Sequence, residues 1–146
     1  MVGFNKIACE HLKTAFCEAS LGLYPGCHSA DIHGLDLIAM RLSEKIATAT
    51  VSYIENLLIN KTNDVAPIVA RLDASDNVDL AVNLLNSTDI FGAGVALSVV
   101  LNAPLECEDS FKEVPGLTFP LTHINDVCRS LFTISLAITN RLLLTH

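Results

Sequence analysis

Four residues close to one another in the first quarter of the chain carry side chains that bind metal ions in many proteins. They are Cys27, His28, Asp31 and His33, and thiolate, imidazole and carboxylate are the groups that hold zinc. Zinc sites usually show paired ligands at short, regular spacing, and this group lacks that pairing. We therefore expect ordinary structural roles for these residues and predict no metal site.

A run of carboxylates in the last third of the chain has the residue type needed for general acid and base catalysis. It comprises Glu106, Glu108, Asp109 and Glu113. No second motif supports catalysis, because the five histidines are scattered and no serine stands beside an acid in a setting suited to a nucleophile. The run is better interpreted as the solvated face of a helix. The sequence predicts a protein that is not an enzyme and needs no cofactor.

The composition indicates one folded domain, covering residues 1–146, with 51% hydrophobic and only 17% charged residues. Nine Lys and Arg against sixteen Asp and Glu give a formal net charge of −7, which opposes binding to nucleic acid or anionic lipid. The longest predominantly apolar stretches, such as Val95–Leu101 and Phe132–Ile138, are shorter than the roughly 18 to 20 residues of a membrane span. We therefore expect no nucleic-acid or membrane partner.

Apolar residues recur every three or four positions in four long segments, which is the pattern of amphipathic helices. The segments run over residues 35–57, 65–85, 89–114 and 124–142, and we expect Pro104 to kink the third one turn earlier. Short connections between long helices favour an up-down-up-down four-helix bundle, here residues 30–146. Residues 1–28, which hold two short apolar pieces before Pro25 and Gly26, predict a helical hairpin against this bundle.

Several motifs, taken in order along this framework, resemble those of the plant invertase and pectin methylesterase inhibitor family. The N-terminal ones are Cys9 and Cys17 with seven residues between them, the run Phe16–Leu21, and the segment Ala30–Leu35 that opens a long helix. The C-terminal ones are the acidic segment Cys107–Glu113, the turn Pro120–Thr122 with Asn125, and the closing segment Ile134–Asn140. The resemblance covers nearly the whole chain and is strongest to pollen-type invertase inhibitors, some of them allergens.

The resemblance implies a protein inhibitor of a plant carbohydrate-active enzyme. The first expectation is an acid invertase (beta-fructofuranosidase), bound one to one at its active-site cleft. The alternatives are a pectin methylesterase as the target and, in another class, a non-inhibitory bundle of the pollen allergen type. Secretion to the apoplast and cell wall, or delivery to the vacuole, is implied as well. Residues Met1–Ile7 do not have the pattern of a signal peptide, so the signal was either removed or never present.

The resemblance also implies a disulfide between Cys9 and Cys17. Family members carry a second one from the Cys107 position to the second bundle helix, but the matching residue here is Ala74, so this bridge should be missing. Leu117 lies almost midway between Cys107 and Cys128, which would place them at the same height in an antiparallel helix pair. Two alternatives follow: a replacement Cys107–Cys128 disulfide, or two buried thiols.

The target-binding segment is expected at the junction of the second and third bundle helices. Invertase inhibitors of the family present Pro-Lys-Phe there, whereas this chain has Thr88, Asp89, Ile90 and Phe91. Ile90 and Phe91 are either the first core positions of a helix or an anchor offered to a partner. Two glycosylation sequons begin at Asn60 and Asn86, both at predicted helix ends where an oligosaccharide can be accommodated.

Overall fold

A computed structural model of the chain describes residues 14–58, 66–113, 115–116 and 122–145. Six helices hold most of these residues: α1 Thr14–Gly22, α2 Ile32–Leu58, α3 Ala66–Asn86, α4 Ile90–Val100, α5 Ala103–Lys112 and α6 Thr122–Thr145. No strand occurs within the described ranges. The prediction of an all-α protein is confirmed.

The helices after α1 pack as a four-helix bundle in which α4 and α5 together form the third member. Helix α2 packs against α3 and α6, α3 also packs against α4 and α5, and both α4 and α5 pack against α6. Each neighbour in sequence is thus a neighbour in space, as short links require. The same arrangement places α2 and α4 on opposite corners of the bundle.

The third predicted helix is interrupted shortly before Pro104, where the sequence predicted a kink. Helix α4 ends at Val100, a turn covers Leu101 and Asn102, and α5 begins at Ala103. Proline has no amide hydrogen to donate to the preceding turn. The amides of Leu105 and Glu106 donate instead to the carbonyl oxygen of Asn102, both at 3.0 Å. The chain therefore restarts a helix here with a change of hydrogen-bond register.

Helix α1 is the second arm of the predicted hairpin, and the first arm lies outside the described residues. Cys17, Leu21 and Cys27 are all buried and share one apolar cluster with residues of α2 and α6, namely Leu35, Ile38, Ala39, Leu131, Ile134 and Ile138. Cys17 is disulfide-bonded, but its expected partner Cys9 lies outside the described part of the chain, so the pairing stays a prediction. The hairpin arm is thus held by apolar contact with two helices.

Cys107 in α5 and Cys128 in α6 are fully buried thiols and form no disulfide. Of the two alternatives, the structure therefore has the thiols, and the replacement disulfide is wrong for it. Packed helices have axes about 8 to 10 Å apart, a separation that often keeps Cα atoms too distant for a disulfide. A buried thiol fills its space as a small apolar group and demands no such geometry.

A row of buried polar side chains runs along the contact between α2 and α6. Thr139 Oγ1 lies within hydrogen-bond distance of two oxygen atoms, Asp36 Oδ2 at 2.7 Å and the Ser135 carbonyl oxygen at 2.9 Å. One helical turn away, the hydroxyl oxygens of Ser43 and Ser135 are 3.4 Å apart. Asp36 and Ser43 are seven residues apart on α2, so they share one face of that helix. We call these four residues the polar seam.

Two helical stretches in the described residues are long and apolar enough, by length and composition alone, to cross a membrane. They are Ile90–Ser110 and Thr122–Thr145. The sequence prediction had counted only short, predominantly apolar stretches of about seven residues within these helices. In each stretch 44% of the most apolar window is buried inside the bundle, and the core helices of a folded bundle share this property. The finding does not establish a membrane partner.

A candidate docking face at the junction of α3 and α4

Helix α3 ends in a tight turn that reverses the chain within three residues. The Asp89 amide donates to the Leu84 carbonyl at 2.9 Å, and the Thr88 amide donates to the Leu85 carbonyl at 3.1 Å. This pair of bonds is the Schellman motif, which needs one residue in the left-handed region. Thr88 occupies that position with φ +67°, although glycine is the residue that fits it without strain.

Helix α4 begins immediately after this turn, capped by Asp89. The carboxylate of Asp89 accepts a hydrogen bond from the Gly92 amide at 2.8 Å, which satisfies one of the four unpaired donors at the start of the helix. A Cβ atom at position 92 would collide with that carboxylate. Glycine at this position therefore leaves room for the cap, and the two residues act as a pair.

The turn is also tied to the start of α2 through His33. His33 Nε2 lies 3.1 Å from the Leu85 carbonyl oxygen, and because a carbonyl only accepts, this nitrogen carries the proton. Asp31 caps α2 by accepting from the Gly34 amide at 2.8 Å. Among the described residues, no group of three or more His, Cys, Asp or Glu side chains is placed to hold a metal ion. Asp31 and His33, two of the four residues first considered as metal ligands, therefore make hydrogen bonds at helix ends.

The outward side of α4 is apolar and exposed to solvent. Phe91, Val95 and Val99 follow one another at intervals of four residues, and their exposed fractions are 68%, 51% and 62%. We call these three side chains the α4 outer face. No charged residue occurs between positions 90 and 105. The inward side, with Ala93 and Leu97 fully buried, supplies the core, so α4 is apolar on both sides.

The structure divides the predicted target-binding segment. Thr88, Asp89 and Phe91 are exposed, whereas Ile90 is only 7% exposed and belongs to the core. Ile90 thus occupies a first core position, while Phe91, one residue on, points the other way. The sequence prediction missed Val95 and Val99. Their spacing of four from Phe91, out of phase with the core positions, was the available signal.

The acidic run on α5 has structural partners. Glu108 pairs with Lys112 at 3.0 Å and accepts a hydrogen bond from Thr122 Oγ1 at 3.3 Å, which connects α5 to the start of α6. The hydrogen bond from Lys112 is the main reason that the pKa of Glu108 is lowered. Asp109 and Glu113 are exposed. A carboxylate held ionised by a lysine is a poor general acid, in keeping with a solvated helix face.

Comparison with known proteins identifies the class to which this bundle belongs. Residues 4–138 match the family described as plant invertase/pectin methylesterase inhibitor, and the chain belongs to that family. The expectation from the sequence motifs is confirmed. A crystal structure of a pectin methylesterase inhibitor from Arabidopsis thaliana has the same fold, with a TM-score of 0.69, 19% sequence identity and coverage of 95% of each chain.

Individual relatives are similar over most or part of the chain. A Platanus orientalis protein named "Putative invertase inhibitor" is 36% identical over 135 residues, which are 87% of this chain and 78% of that protein. A protein of the same name from Platanus acerifolia is 35% identical, covering 87% and 74%. "Pectinesterase inhibitor 12" of Arabidopsis thaliana is 40% identical over 70 residues, 48% of this chain and 40% of that protein.

Proposed function

We propose that this protein inhibits a plant acid invertase by docking the α4 outer face, together with the turn at Thr88 and Asp89, in the active-site cleft of the enzyme. The observation that carries the proposal is the row of exposed Phe91, Val95 and Val99 on a helix that packs against α3 and α6. Exposed apolar rows of this kind mark interaction sites in folded proteins. No catalytic group is required for inhibition of this type.

The geometry suits a protein partner for two physical reasons. First, the helix, its cap and the turn are ordered by hydrogen bonds within the chain, so little conformational freedom is lost on docking. Second, the α4 outer face carries no charge, so burial of its three side chains removes no ionised group from water, and Asp89 is the only charged side chain of the proposed docking surface. Phe91, the largest of the three side chains and the most exposed, is the expected anchor.

Two other functions are candidates for this protein, and experiment distinguishes them from invertase inhibition. A pectin methylesterase is the second candidate target, favoured by the similarity to the Arabidopsis pectinesterase inhibitor. Invertase is placed first because the two Platanus relatives match a larger share of the chain. The third candidate is a bundle of the pollen allergen type that has kept the fold without inhibiting either enzyme. The proposal includes location in the apoplast and cell wall or in the vacuole.

An inhibition assay distinguishes these candidates. The purified chain is titrated into an acid invertase and, separately, into a pectin methylesterase, and the initial rate is followed. The proposal expects invertase activity to fall to a plateau at one inhibitor per enzyme while pectin methylesterase is unaffected. The reverse result supports the second candidate. Full activity of both enzymes at a large excess of correctly folded chain would contradict the proposed function.

A further inference from the structure

The side chain of Asn86, the last residue of α3, is exposed to solvent beside the turn at Thr88 and Asp89. This side chain makes no hydrogen bond to the described residues. Asparagine side chains near helix ends commonly bond to the backbone, as the neighbouring Ser87 hydroxyl does here. Asn86, Ser87 and Thr88 form a complete sequon for attachment of an N-linked oligosaccharide. The side chain is thus both of the right type and sterically open.

The third residue of this sequon, Thr88, is kept in a conformation that costs stability. Its φ of +67° strains a β-branched residue by about 1 kcal/mol or more relative to glycine. Within the part of the chain that the structure describes, its hydroxyl makes no hydrogen bond, and the side chain is exposed. The fold therefore does not use the hydroxyl. A function outside the fold, such as completion of the sequon, explains why a hydroxyl residue stands where glycine fits better.

We propose that Asn86 is an acceptor for an N-linked oligosaccharide and that the attached glycan closes the junction of α3 and α4 to a protein partner. The donor is an oligosaccharide carried on a lipid pyrophosphate in the secretory pathway. Asn86 Nδ2 attacks the anomeric carbon of the first sugar. The nitrogen–carbon bond forms as the bond from that carbon to the pyrophosphate oxygen breaks, Nδ2 loses one proton, and the lipid pyrophosphate leaves.

The effect on docking follows from position, and this part of the inference rests on the proposed function. Asn86 is five residues from Phe91 across a tight turn, and a glycan is bulky and strongly hydrated. At the rim of the α4 outer face it would oppose burial of that face in a cleft. Occupancy would therefore divide the protein into an inhibitory and a shielded form.

Occupancy is tested by mass spectrometry of the chain secreted from eukaryotic cells, with peptide mapping of the segment that contains Asn86. The glycan is expected on the unaltered chain, on Asn60→Gln and on Thr88→Ser, and it is expected to be lost in Asn86→Gln and Thr88→Gly. Thr88→Gly relieves backbone strain, so its loss of the glycan cannot be ascribed to misfolding. An unmodified Asn86 peptide in the unaltered chain overturns the proposal.

Shielding is tested with two readouts, one of which does not depend on inhibition. In a Phe91→Cys variant, a polymer-linked maleimide should react several-fold more slowly with the glycosylated protein than with the same protein after enzymatic removal of the glycan. In the chain without that substitution, glycan removal should raise inhibitory potency roughly tenfold or more, the value of one anchor side chain. Equal labelling rates overturn the shielding. If the glycosylated protein is labelled more slowly but neither the glycosylated nor the deglycosylated form inhibits an enzyme, the shielding by the glycan is supported and only the proposed function is contradicted.

Discussion

The polar seam and the α4 outer face both depart from the usual distribution of side chains: the seam buries polar groups, and the outer face exposes apolar ones. In the seam, Asp36, Ser43, Ser135 and Thr139 lie fully or almost fully buried between α2 and α6. On the outer face, Phe91, Val95 and Val99 stand in solvent on α4. Buried polar groups cost free energy unless they are paired, and exposed apolar groups forgo free energy unless a partner covers them.

The difference between these regions lies in whether the chain itself supplies the partner. In the seam, hydrogen bonds from the hydroxyl groups to carbonyl oxygens of their own helices, and the contact between Thr139 and Asp36, compensate most of the burial, although Asp36 Oδ1 accepts no hydrogen bond from the described residues. On the outer face, more than half of each of three apolar side chains is exposed to solvent. The seam therefore concerns the stability of the bundle, and the outer face concerns its interactions.

The largest predicted effect is a dependence of stability on pH that comes from the seam. Burial raises the pKa of Asp36 from 3.8 to about 7, against a smaller lowering by the hydrogen bond from Thr139. Between these two pKa values the folded chain holds a proton that the unfolded chain has lost. Its free energy of unfolding should therefore fall as pH rises through this window, by up to about 4 kcal/mol, and level off above pH 7.

Urea unfolding from pH 4 to 8 measures this dependence, and Asp36→Asn is the matched control. The amide cannot ionise, so the variant should lose the Asp36 contribution and show a flatter curve than the unaltered chain. The difference between the two curves isolates this one group from the other carboxylates. Parallel curves would show that Asp36 titrates normally and that its burial is relieved in solution. A bundle most stable in mild acid would suit the proposed apoplastic or vacuolar location.

The next effect compares the two sides of α4. Leu97 is fully buried and Val99 is 62% exposed. Leu97→Ala should lower the free energy of unfolding by about 3 kcal/mol because it leaves a cavity in the core. Val99→Ala should change it by less than about 0.5 kcal/mol. Chemical denaturation of both variants measures the contrast, and similar losses would mean that α4 is rotated about its axis relative to this structure.

The smallest effect concerns the strained turn beside the outer face. Thr88→Gly should raise the free energy of unfolding by about 1 kcal/mol, because glycine adopts φ +67° without a Cβ clash, despite its larger entropy when unfolded. The protein is made in bacteria so that no glycan contributes, and thermal unfolding is recorded beside Thr88→Ala. A Thr88→Gly variant less stable than the unaltered chain would contradict the strain.

Much of the fold follows from the sequence because its signals are local. The apolar period of 3.6 predicted α2, α3 and α6 to within a few residues, and the missing amide of Pro104 predicted the interruption between α4 and α5. The connection near residues 86 to 88 was predicted from the same pattern. Each of these features depends on residues within one or two turns of each other.

The features that could not be predicted depend on pairs far apart in the chain. From the sequence alone, Asp36 is expected to be solvated, because the residue that contacts it in the fold, Thr139, lies 103 positions later. The direction of Ile90 and Phe91 depends on how α4 rotates against α3 and α6, since a helix apolar on both sides has no preferred face of its own. For the same reason the sequence predicted the segment from Thr88 to Phe91 as a candidate docking site but did not identify Val95 and Val99 as exposed.

The most direct measurement of the central claim is the inhibition constant of a variant that removes the α4 outer face. Phe91→Ala combined with Val95→Ala should weaken inhibition of the target enzyme by at least about tenfold with the fold intact, because both side chains are exposed. Tyr53→Ala is the control, since Tyr53 is 48% exposed on α2 at the opposite corner, and its inhibition constant should be unchanged. If the double variant inhibits as well as the unaltered chain, or if Tyr53→Ala loses inhibition instead, the target does not dock on α4.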